Sequence, residues 1–143
     1  MSIPVDLGGL QIPKGGVVRG IGIDLIETER IRGVWERQKD RFLKRVYTEG
    51  ELEYCLKMKD PVPFLAARFS AKEAVSKAFT TGIGKELGWK SIEVCKGERQ
   101  QPWIRLDAQG QALLEAVGGS DVLVSLSHTS NYGMAVAVLV EVK

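Results

Sequence analysis

Two acidic residues and one lysine carry the clearest chemical signal in this chain. Asp24 ends an apolar segment with strand-like alternation, and Glu73 precedes Lys77 by four residues. Residues four apart share one face of a helix, so Glu73 and Lys77 would present a carboxylate and a cation side by side. Mg²⁺ commonly takes one or two protein carboxylates and completes its octahedron with water and substrate phosphates. A separated Asp and Glu with a nearby Lys suit such a site.

Both acids also have structural alternatives. Asp24 could cap the next helix or turn, because Asp is common at such positions. The residues from Ser70 to Glu73 form a capping-box pattern, in which Glu73 would only cap a helix that begins at Ser70. Against this, residues 63–79 have a helical composition throughout, which makes a cap at Ser70 unnecessary. Residue types alone leave both interpretations of Glu73 open.

The histidine and the cysteines point to no metal cluster or covalent nucleophile. Cys55 and Cys95 lie far apart and form no CxxC motif, which is typical of reduced thiols in a reducing compartment. A structural zinc site needs about four ligands, and His128 is the only histidine. No Ser-His-Asp or Cys-His arrangement is evident, so covalent nucleophilic catalysis is set aside.

The elements that must position these residues follow from periodicity and capping patterns. Strands are predicted over residues 17–25, 91–96, 103–106, 122–127 and 134–142. Helices are predicted from Thr28, which could act as a cap, from a Thr48/Glu51 capping box, over 63–79 and over 109–117. Residues 127–133 are predicted to form a long hairpin loop. Because strands do not alternate regularly with helices, we expect an α+β fold with a mostly antiparallel sheet packed against a long central helix.

The first strand has an unusual face. Gly20, Gly22 and Asp24 share it, so little side-chain bulk precedes the carboxylate. Such a strand lets another group approach its backbone closely.

Composition describes an ordinary globular chain of 143 residues, with 44% hydrophobic residues, 27% charged residues and a net charge of +2. No apolar run reaches the roughly 20 residues of a membrane-spanning helix. Residues 1–16 lack the apolar core of a secretory signal, so we expect a flexible N-terminal extension followed by a single domain over 17–143. A cytoplasmic location is the corresponding expectation.

Residues 28–45 are locally basic, although the whole chain is nearly neutral. Seven cations stand there against three acids, in the order Glu29, Arg30, Arg32, Glu36, Arg37, Lys39, Asp40, Arg41, Lys44, Arg45. The segment could be a solvated helix face, and clustered arginines also form docking surfaces for acidic partners. No nucleic-acid-binding motif accompanies it, so a nucleic-acid partner is not expected.

Taken in order, these segments resemble the holo-(acyl carrier protein) synthase family of the 4′-phosphopantetheinyl transferase superfamily. The resemblance covers roughly residues 18–140 and is carried by GIGIDL at 20–25, LAARFSAKEAVSKAF at 65–79 and SLSHT at 125–129. Shorter matches lie at residues 29–31, 41–42 and 47–55. The pairing of GIGIDL with FSAKEAVSKAF is the specific part.

The resemblance implies a reaction, in which the 4′-phosphopantetheine arm of coenzyme A moves to a serine of apo-acyl carrier protein and adenosine 3′,5′-bisphosphate is released. It implies Asp24 and Glu73 as Mg²⁺ ligands, Lys77 near the transferred phosphate, and His128 and Thr129 near the nucleotide end of coenzyme A. Glu73 or a metal-held water would take the serine proton.

It further implies a homotrimer with active sites between subunits, and fatty acid biosynthesis as the default setting. Three of the basic residues, Arg30, Arg37 and Arg41, would meet the acidic recognition helix of the carrier protein. The chain departs from the family pattern at Thr80, where a glycine is usual, and at Gln101, where a basic residue commonly precedes the proline. A phosphate contact would then be lost or supplied by Arg99.

The alternative function is a non-catalytic binding module that uses the basic surface of residues 28–45 to hold an acidic partner. The Asp24, Glu73 and Lys77 set argues against this alternative, because a pure binder has no need of it.

Overall fold

The computed structural model describes residues 14–142, and its secondary structure follows the predicted order with one additional helix. The elements are β1 (Val17–Glu27), α1 (Thr28–Gln38), α2 (Asp40–Val46), α3 (Glu49–Cys55), α4 (Val62–Ala78), a 3₁₀ turn (Trp89–Ser91), β2 (Ile92–Lys96), β3 (Pro102–Leu106), α5 (Ala108–Ala116), β4 (Asp121–His128) and β5 (Tyr132–Glu141). Most of the predicted N-terminal extension, residues 1–13, lies outside the described residues. None of the helices within 14–142 is both long and apolar enough to cross a membrane.

All strand pairs in the described residues are antiparallel. One sheet has the order β1-β5-β4, and β2 and β3 form a separate hairpin. The predicted α+β class with antiparallel strands is therefore confirmed. Helix α4 packs across the three-stranded sheet, and its residues Ala71, Ala74, Val75 and Ala78 belong to the hydrophobic core between them. This helix carries Glu73 and Lys77, so the core of the molecule positions the predicted site.

The glycine face of β1 lies directly on α4. A Cβ atom at Gly20 would overlap the carbonyl oxygen of Ala78, and one at Gly22 would overlap that of Ala74. The sequence-based expectation that a group approaches this backbone closely is therefore correct, and the group is the helix. The contact brings the strand residue Asp24 within reach of the α4 side chains.

Two predictions about helix ends were tested by the structure. The Thr48/Glu51 capping box is confirmed, since the Glu51 amide donates to the Thr48 hydroxyl and the Thr48 amide donates to the Glu51 carboxylate at 2.8 Å. The cap at Thr28 is wrong, because β1 runs directly into α1 and Thr28 is the first helical residue. Its amide donates to the Asn131 carbonyl at 2.8 Å, and its buried hydroxyl has no hydrogen-bond partner.

The basic segment and the last hairpin also differ from prediction. The segment divides into α1 and α2 at Lys39, whose φ of 54° is incompatible with a continuous helix. The long loop predicted over residues 127–133 is wrong, since β4 continues to His128 and pairs it with Gly133. The turn that remains has three residues, and it is closed by a hydrogen bond from the Thr129 amide to the Tyr132 carbonyl at 2.8 Å.

Candidate active site

Asp24 and Lys77 are joined across the contact between β1 and α4. The Lys77 Nζ donates to Asp24 Oδ1 at 2.9 Å and to the Ile23 carbonyl at 3.1 Å. Asp24 lies inside β1 rather than at its end, and its side chain pairs with a lysine rather than with a helix N-terminus. The alternative of Asp24 as a helix cap is therefore wrong.

Glu73 lies one helical turn before Lys77, in the C-terminal half of α4. The helix is continuous from Val62 to Ala78, and the Ser70 hydroxyl donates to the Gly133 carbonyl at 3.2 Å. The capping-box alternative for Glu73 is therefore wrong as well. Partial burial raises the pKa of the Glu73 carboxyl, the neighbouring Asp24 charge raises it further, and Lys77 opposes both. The charge of Asp24 therefore acts on the Glu73 carboxyl.

A cavity of about 310 Å³ opens beside these two acids. We call it the carboxylate cavity. Asp24 and Glu73 supply its acidic side, and Arg30 of α1 also lines it. The remaining lining is apolar, from Leu25, Ile26, Ile31, Val34, Phe42 and Phe69. The cavity thus places a pair of carboxylates and one arginine at the edge of an apolar wall.

The donor set of the carboxylate cavity fits a hard divalent cation that keeps much of its water. Asp24 and Glu73 provide oxygen ligands, which Mg²⁺ prefers, and the cavity has room for waters or phosphate oxygens. Within residues 14–142, no group of three or more His, Cys, Asp or Glu side chains is arranged to hold a metal. A closed zinc-type cage is therefore not what these residues form, whereas two carboxylates match the low protein ligand count of Mg²⁺ sites.

A second cavity, of about 360 Å³, lies beside β4 and the β2–β3 hairpin, and we call it the cationic cavity. Arg68, Lys96 and His128 line it together with Tyr54 and Phe64. Two cations stand over the Tyr54 ring: the Arg68 guanidinium lies 4.3 Å from the ring centroid and the Lys96 Nζ lies 5.6 Å from it. The His128 ring packs on the Phe64 ring, with 4.7 Å between their centroids. The aromatic rings therefore hold three basic side chains around one space.

Arg68 is the residue that the sequence interpretation missed. Only 2% of it is exposed, its Nε has no hydrogen-bond partner, and no carboxylate in residues 14–142 forms an ion pair with it. Partial burial lowers the pKa of Lys96, and the charge of Arg68 lowers it further. A buried guanidinium without a carboxylate is a ready site for an anion. The sequence feature that could have indicated its burial is its position as a single arginine within a run of small and apolar residues on α4.

The other predicted site residues are dispersed. Arg37 of α1 and Arg41 of α2 are exposed, whereas the neighbouring Arg32 is paired with Asp60 at 2.8 Å and with Glu29 at 3.1 Å. Arg30, Arg37 and Arg41 are thus exposed cations available to a partner, unlike Arg32.

Thr129 and Thr80 have local backbone roles. The Thr129 hydroxyl accepts hydrogen bonds from the amides of Asn131 and Tyr132, and the residue does not line the cationic cavity within the described residues. Thr80 follows α4 with a φ of 67°, a left-handed conformation that favours glycine. The family departure at this position is therefore also a point of backbone strain.

Comparison with known proteins gives one consistent family. A family model described as the 4′-phosphopantetheinyl transferase superfamily matches residues 20–137. The holo-[acyl-carrier-protein] synthase of Chlamydia trachomatis is 50% identical over 119 residues, which cover 83% of this chain and 97% of the relative. That of Caldanaerobacter subterraneus is 41% identical over 120 residues, which cover 84% and 93%.

Solved structures agree with the sequence matches. The holo-[acyl-carrier-protein] synthase of Helicobacter pylori, solved in complex with coenzyme A, superimposes with a TM-score of 0.74 at 34% identity, covering 83% of this chain and 98% of that one. The Neisseria meningitidis enzyme superimposes with a TM-score of 0.80 at 30% identity, covering 86% and 98%.

Proposed function

The chain belongs to the 4′-phosphopantetheinyl transferase superfamily, among the holo-[acyl-carrier-protein] synthases, and from this premise we propose that it transfers 4′-phosphopantetheine from coenzyme A to a serine of apo-acyl carrier protein with Mg²⁺. The observation that carries the proposal is the placement of Asp24 and Glu73 at one cavity of this fold, with Lys77 bonded to Asp24. Residues implied by the family motifs are thus adjacent in space, although Asp24 and Lys77 are 53 positions apart in sequence.

The reaction exchanges the phosphoanhydride bond of the coenzyme A pyrophosphate for a phosphodiester bond to serine. The serine oxygen forms a bond to the phosphorus that carries pantetheine, and the bond from that phosphorus to the second phosphate of the pyrophosphate breaks. Adenosine 3′,5′-bisphosphate leaves, and the serine proton goes to a base. Transfers of this kind depend mainly on positioning and on neutralisation of developing charge. The protein must therefore supply cations, a metal site and a proton acceptor.

Asp24 and Glu73 would hold the Mg²⁺, which supplies charge neutralisation to the pyrophosphate when it is bound. The Lys77 ammonium forms an ion pair with Asp24, and its side chain is half exposed. It is therefore proposed to contact the transferred phosphate. Glu73 is the protein group proposed to accept the serine proton. A water held by the metal is the other candidate for this proton.

The cationic cavity is proposed to hold the nucleotide end of coenzyme A. Arg68, Lys96 and His128 can together contact a phosphate, and the aromatic rings of Tyr54 and Phe64 offer flat surfaces beside it. This extends the role predicted for His128 and makes Arg68 its strongest contributor. Thr129 would act by shaping the hairpin that presents His128.

The apolar outer face of the three-stranded sheet supports the proposed homotrimer. Ile21, Ile23 and Leu25 of β1 are 66%, 63% and 60% exposed, and Met134 of β5 lies beside Leu25 in the sheet. Large exposed apolar faces of this kind mark protein–protein contacts. The carboxylate and cationic cavities share no lining residue, which is compatible with a coenzyme A molecule bound between copies. Light scattering of the chain and of Ile23→Lys tests this, with a trimer expected only for the former.

The acidic recognition helix of the carrier protein is proposed to lie along α1 and α2. Arg30 at the carboxylate cavity would direct the acceptor serine, and the exposed Arg37 and Arg41 would meet acidic side chains. A carrier protein of fatty acid synthesis is the proposed acceptor. The cytoplasmic location expected from the sequence stays a prediction.

The direct test is a mass measurement on the acceptor. Purified chain, apo-carrier protein, coenzyme A and Mg²⁺ are expected to add one phosphopantetheine to the carrier serine, and chelation of Mg²⁺ should stop the reaction. A carrier from secondary metabolism, tested beside the fatty-acid carrier, measures acceptor preference. No mass gain on either carrier, with retained binding of the carrier by calorimetry, would instead support the binding-module alternative.

A further inference from the structure

The residue that precedes Glu73 is a fully buried lysine. The side chains of Lys72 and Glu51 both have 0% exposure, and the Lys72 Nζ lies 2.7 Å from Glu51 Oε1. Neither residue lines the carboxylate cavity. A buried ion pair of this kind is weak evidence for stability, because the desolvation of both charges offsets their attraction. Its position beside Glu73 therefore calls for another role.

Lys72 has a complete set of hydrogen-bond acceptors. Besides Glu51, its Nζ donates to the Trp89 carbonyl at 2.9 Å and to the Ile92 carbonyl at 2.5 Å. An ammonium group has three donors, so each has an acceptor. One side chain thus ties α4 to the 3₁₀ turn, to the start of β2 and to α3.

Glu51 extends the same connection. Its Oε2 accepts from the Val94 amide at 2.8 Å, and its Oε1 accepts from the Thr48 amide at 2.8 Å as part of the capping box. The pair is therefore anchored to the backbone of a helix and of a strand, not only to each other. Such an anchor resists both rotation and sliding of α4.

The two sides of α4 are held differently. On one side, Gly20 and Gly22 allow β1 to pack directly on the helix backbone, and this packing brings Asp24 to Lys77. Elsewhere on the helix, Lys72 bonds to a separate part of the fold. Consecutive helix residues point about 100° apart, so the direction of the Lys72 side chain sets that of Glu73.

The same anchor reaches the wall of the carboxylate cavity. Trp89, whose carbonyl accepts from Lys72, packs its ring on Phe69 with 4.7 Å between ring centroids. Phe69 lines the cavity one turn before Glu73. Loss of the Lys72 anchor would therefore disturb both a carboxylate and an apolar wall of the site.

We infer that Lys72, together with Glu51, is a positioning residue that sets the direction of Glu73 toward Asp24 and so determines the metal affinity of the carboxylate cavity. The inference rests on the proposed function, since it assumes that Asp24 and Glu73 share a cation. Lys72 itself lines neither cavity and would touch neither substrate nor metal. Its contribution is the orientation of α4.

The test uses the double variant Lys72→Met/Glu51→Gln in the full chain. It removes both charges at similar volume, and the carboxamide oxygen introduced at position 51 can still accept from a backbone amide. Half-saturating Mg²⁺ is expected to rise about 10- to 100-fold, as for outer partners of metal ligands, and kcat is expected to fall about 10-fold or more. KM for coenzyme A should change less than about twofold, because the cationic cavity is not touched. Mn²⁺ binding measured by electron paramagnetic resonance should weaken by the same factor as Mg²⁺ activation.

Tyr47→Phe is the matched control. It removes the buried hydrogen bond from the Tyr47 hydroxyl to the Leu65 carbonyl, which ties a different part of α4. It should lower the melting temperature and leave the Mg²⁺ dependence unchanged. If the double variant does not fold, the single variant Glu51→Gln, which keeps Lys72 and its carbonyl acceptors, must still show a raised Mg²⁺ requirement in its folded fraction.

Two failures are distinguishable. An inactive wild-type chain that binds no Mn²⁺ overturns the proposed metal site, and the inference fails with it. An active wild-type chain whose double variant is folded and has unchanged Mg²⁺ activation and Mn²⁺ affinity overturns the role of Lys72 alone.

Discussion

The carboxylate cavity and the cationic cavity are both lined by residues of α4, but they differ in whether their charges are compensated by an opposite charge and by water. In the first, Asp24 is paired with Lys77, whose side chain is 50% exposed. In the second, Arg68 is 2% exposed and has no ion pair with any carboxylate of residues 14–142. Water and a counter-ion stabilise the charges of the first cavity, whereas the second holds a guanidinium whose burial is not compensated by an acid.

The difference shows what each cavity requires from its ligand. In the proposed reaction, a metal would replace Lys77 at Asp24 at modest cost, because the Lys77–Asp24 pair is already partly solvated. The cationic cavity gains a missing counter-charge when an anion binds. We therefore expect changes in the first cavity to affect chemistry most, and changes in the second to affect coenzyme A binding most.

The largest effect is expected from Asp24→Ala and Glu73→Ala. Each removes a proposed metal ligand, and a loss of several kcal/mol of transition-state stabilisation corresponds to about a 10³-fold fall in kcat/KM. Turnover at varied Mg²⁺ and circular dichroism measure activity and fold. The exposed Glu86→Gln is the matched control and should retain wild-type rates. A folded alanine variant with wild-type turnover would remove that residue from the metal site.

Arg68→Met is the next largest prediction, and it should affect coenzyme A binding without affecting the chemical step. The KM for coenzyme A is expected to rise about 10- to 100-fold with kcat nearly unchanged, because a charge-assisted hydrogen bond contributes about 1.5–3 kcal/mol. The melting temperature of the ligand-free variant should not fall, since an uncompensated buried charge is removed. Dephospho-coenzyme A lacks one phosphate. If that phosphate is the Arg68 ligand, the substitution should raise KM for dephospho-coenzyme A by a smaller factor than it raises KM for coenzyme A. A lower melting temperature with unchanged KM would make Arg68 purely structural.

Charge reversal on the basic surface should touch neither cavity directly. Arg37→Glu and Arg41→Glu are each expected to raise KM for the carrier protein about 10-fold and to leave KM for coenzyme A unchanged. The effect should shrink at high ionic strength, because exposed charges are screened. Lys85→Glu, an exposed reversal outside α1 and α2, is the control. Equal effects of all three variants would argue against a defined docking surface.

The raised pKa of Glu73 gives a smaller, pH-dependent effect on stability. A carboxyl whose pKa is higher in the fold favours folding below its ordinary pKa, and this contribution is lost as the pH rises through the raised value. Glu73→Gln should therefore raise the melting temperature slightly at neutral pH without Mg²⁺. The gain should disappear as the pH falls to the ordinary Glu range. A gain of the same size at every pH would show that ionisation of Glu73 is not its cause.

The smallest effect is expected at Thr80, at the end of the helix that lines both cavities. Thr80→Gly relieves a φ of 67°, and the relief exceeds the added flexibility of the unfolded chain by about 0.5–1 kcal/mol. Chemical denaturation should show this gain while both KM values stay unchanged. A changed KM for coenzyme A would instead indicate that the backbone at residue 80 takes part in phosphate binding.

Local patterns predicted much of the fold. The composition of residues 63–79 predicted α4, alternation predicted the strands, and the Thr48/Glu51 spacing predicted a capping box that the structure contains. The break at Lys39 could not be predicted, because lysine is not a residue that normally adopts positive φ. Thr28 fits a cap by type, but tertiary structure supplies its amide with the Asn131 carbonyl instead.

The site residues that belong to sequence motifs could be predicted, whereas the charged residues that matter because they are buried could not. Asp24, Glu73 and Lys77 were named from spacing and family resemblance, and the structure places them together. Arg68 and Lys72 are charged residues on a helix, for which exposure is the usual expectation. Both residues are buried only because α3, the β2–β3 hairpin and β4 pack around α4 in the folded structure.

The pairing of β1 with β5 has a consequence for how the chain folds during synthesis. Arg19 and Glu141, which form an ion pair at 2.6 Å, are 122 positions apart. On the ribosome, the partner of β1 emerges only after all the helices between them have been made. Contacts this distant slow folding and leave the first strand without its neighbour until then. We expect the apolar residues of β1 to be open to chaperones or aggregation for most of translation.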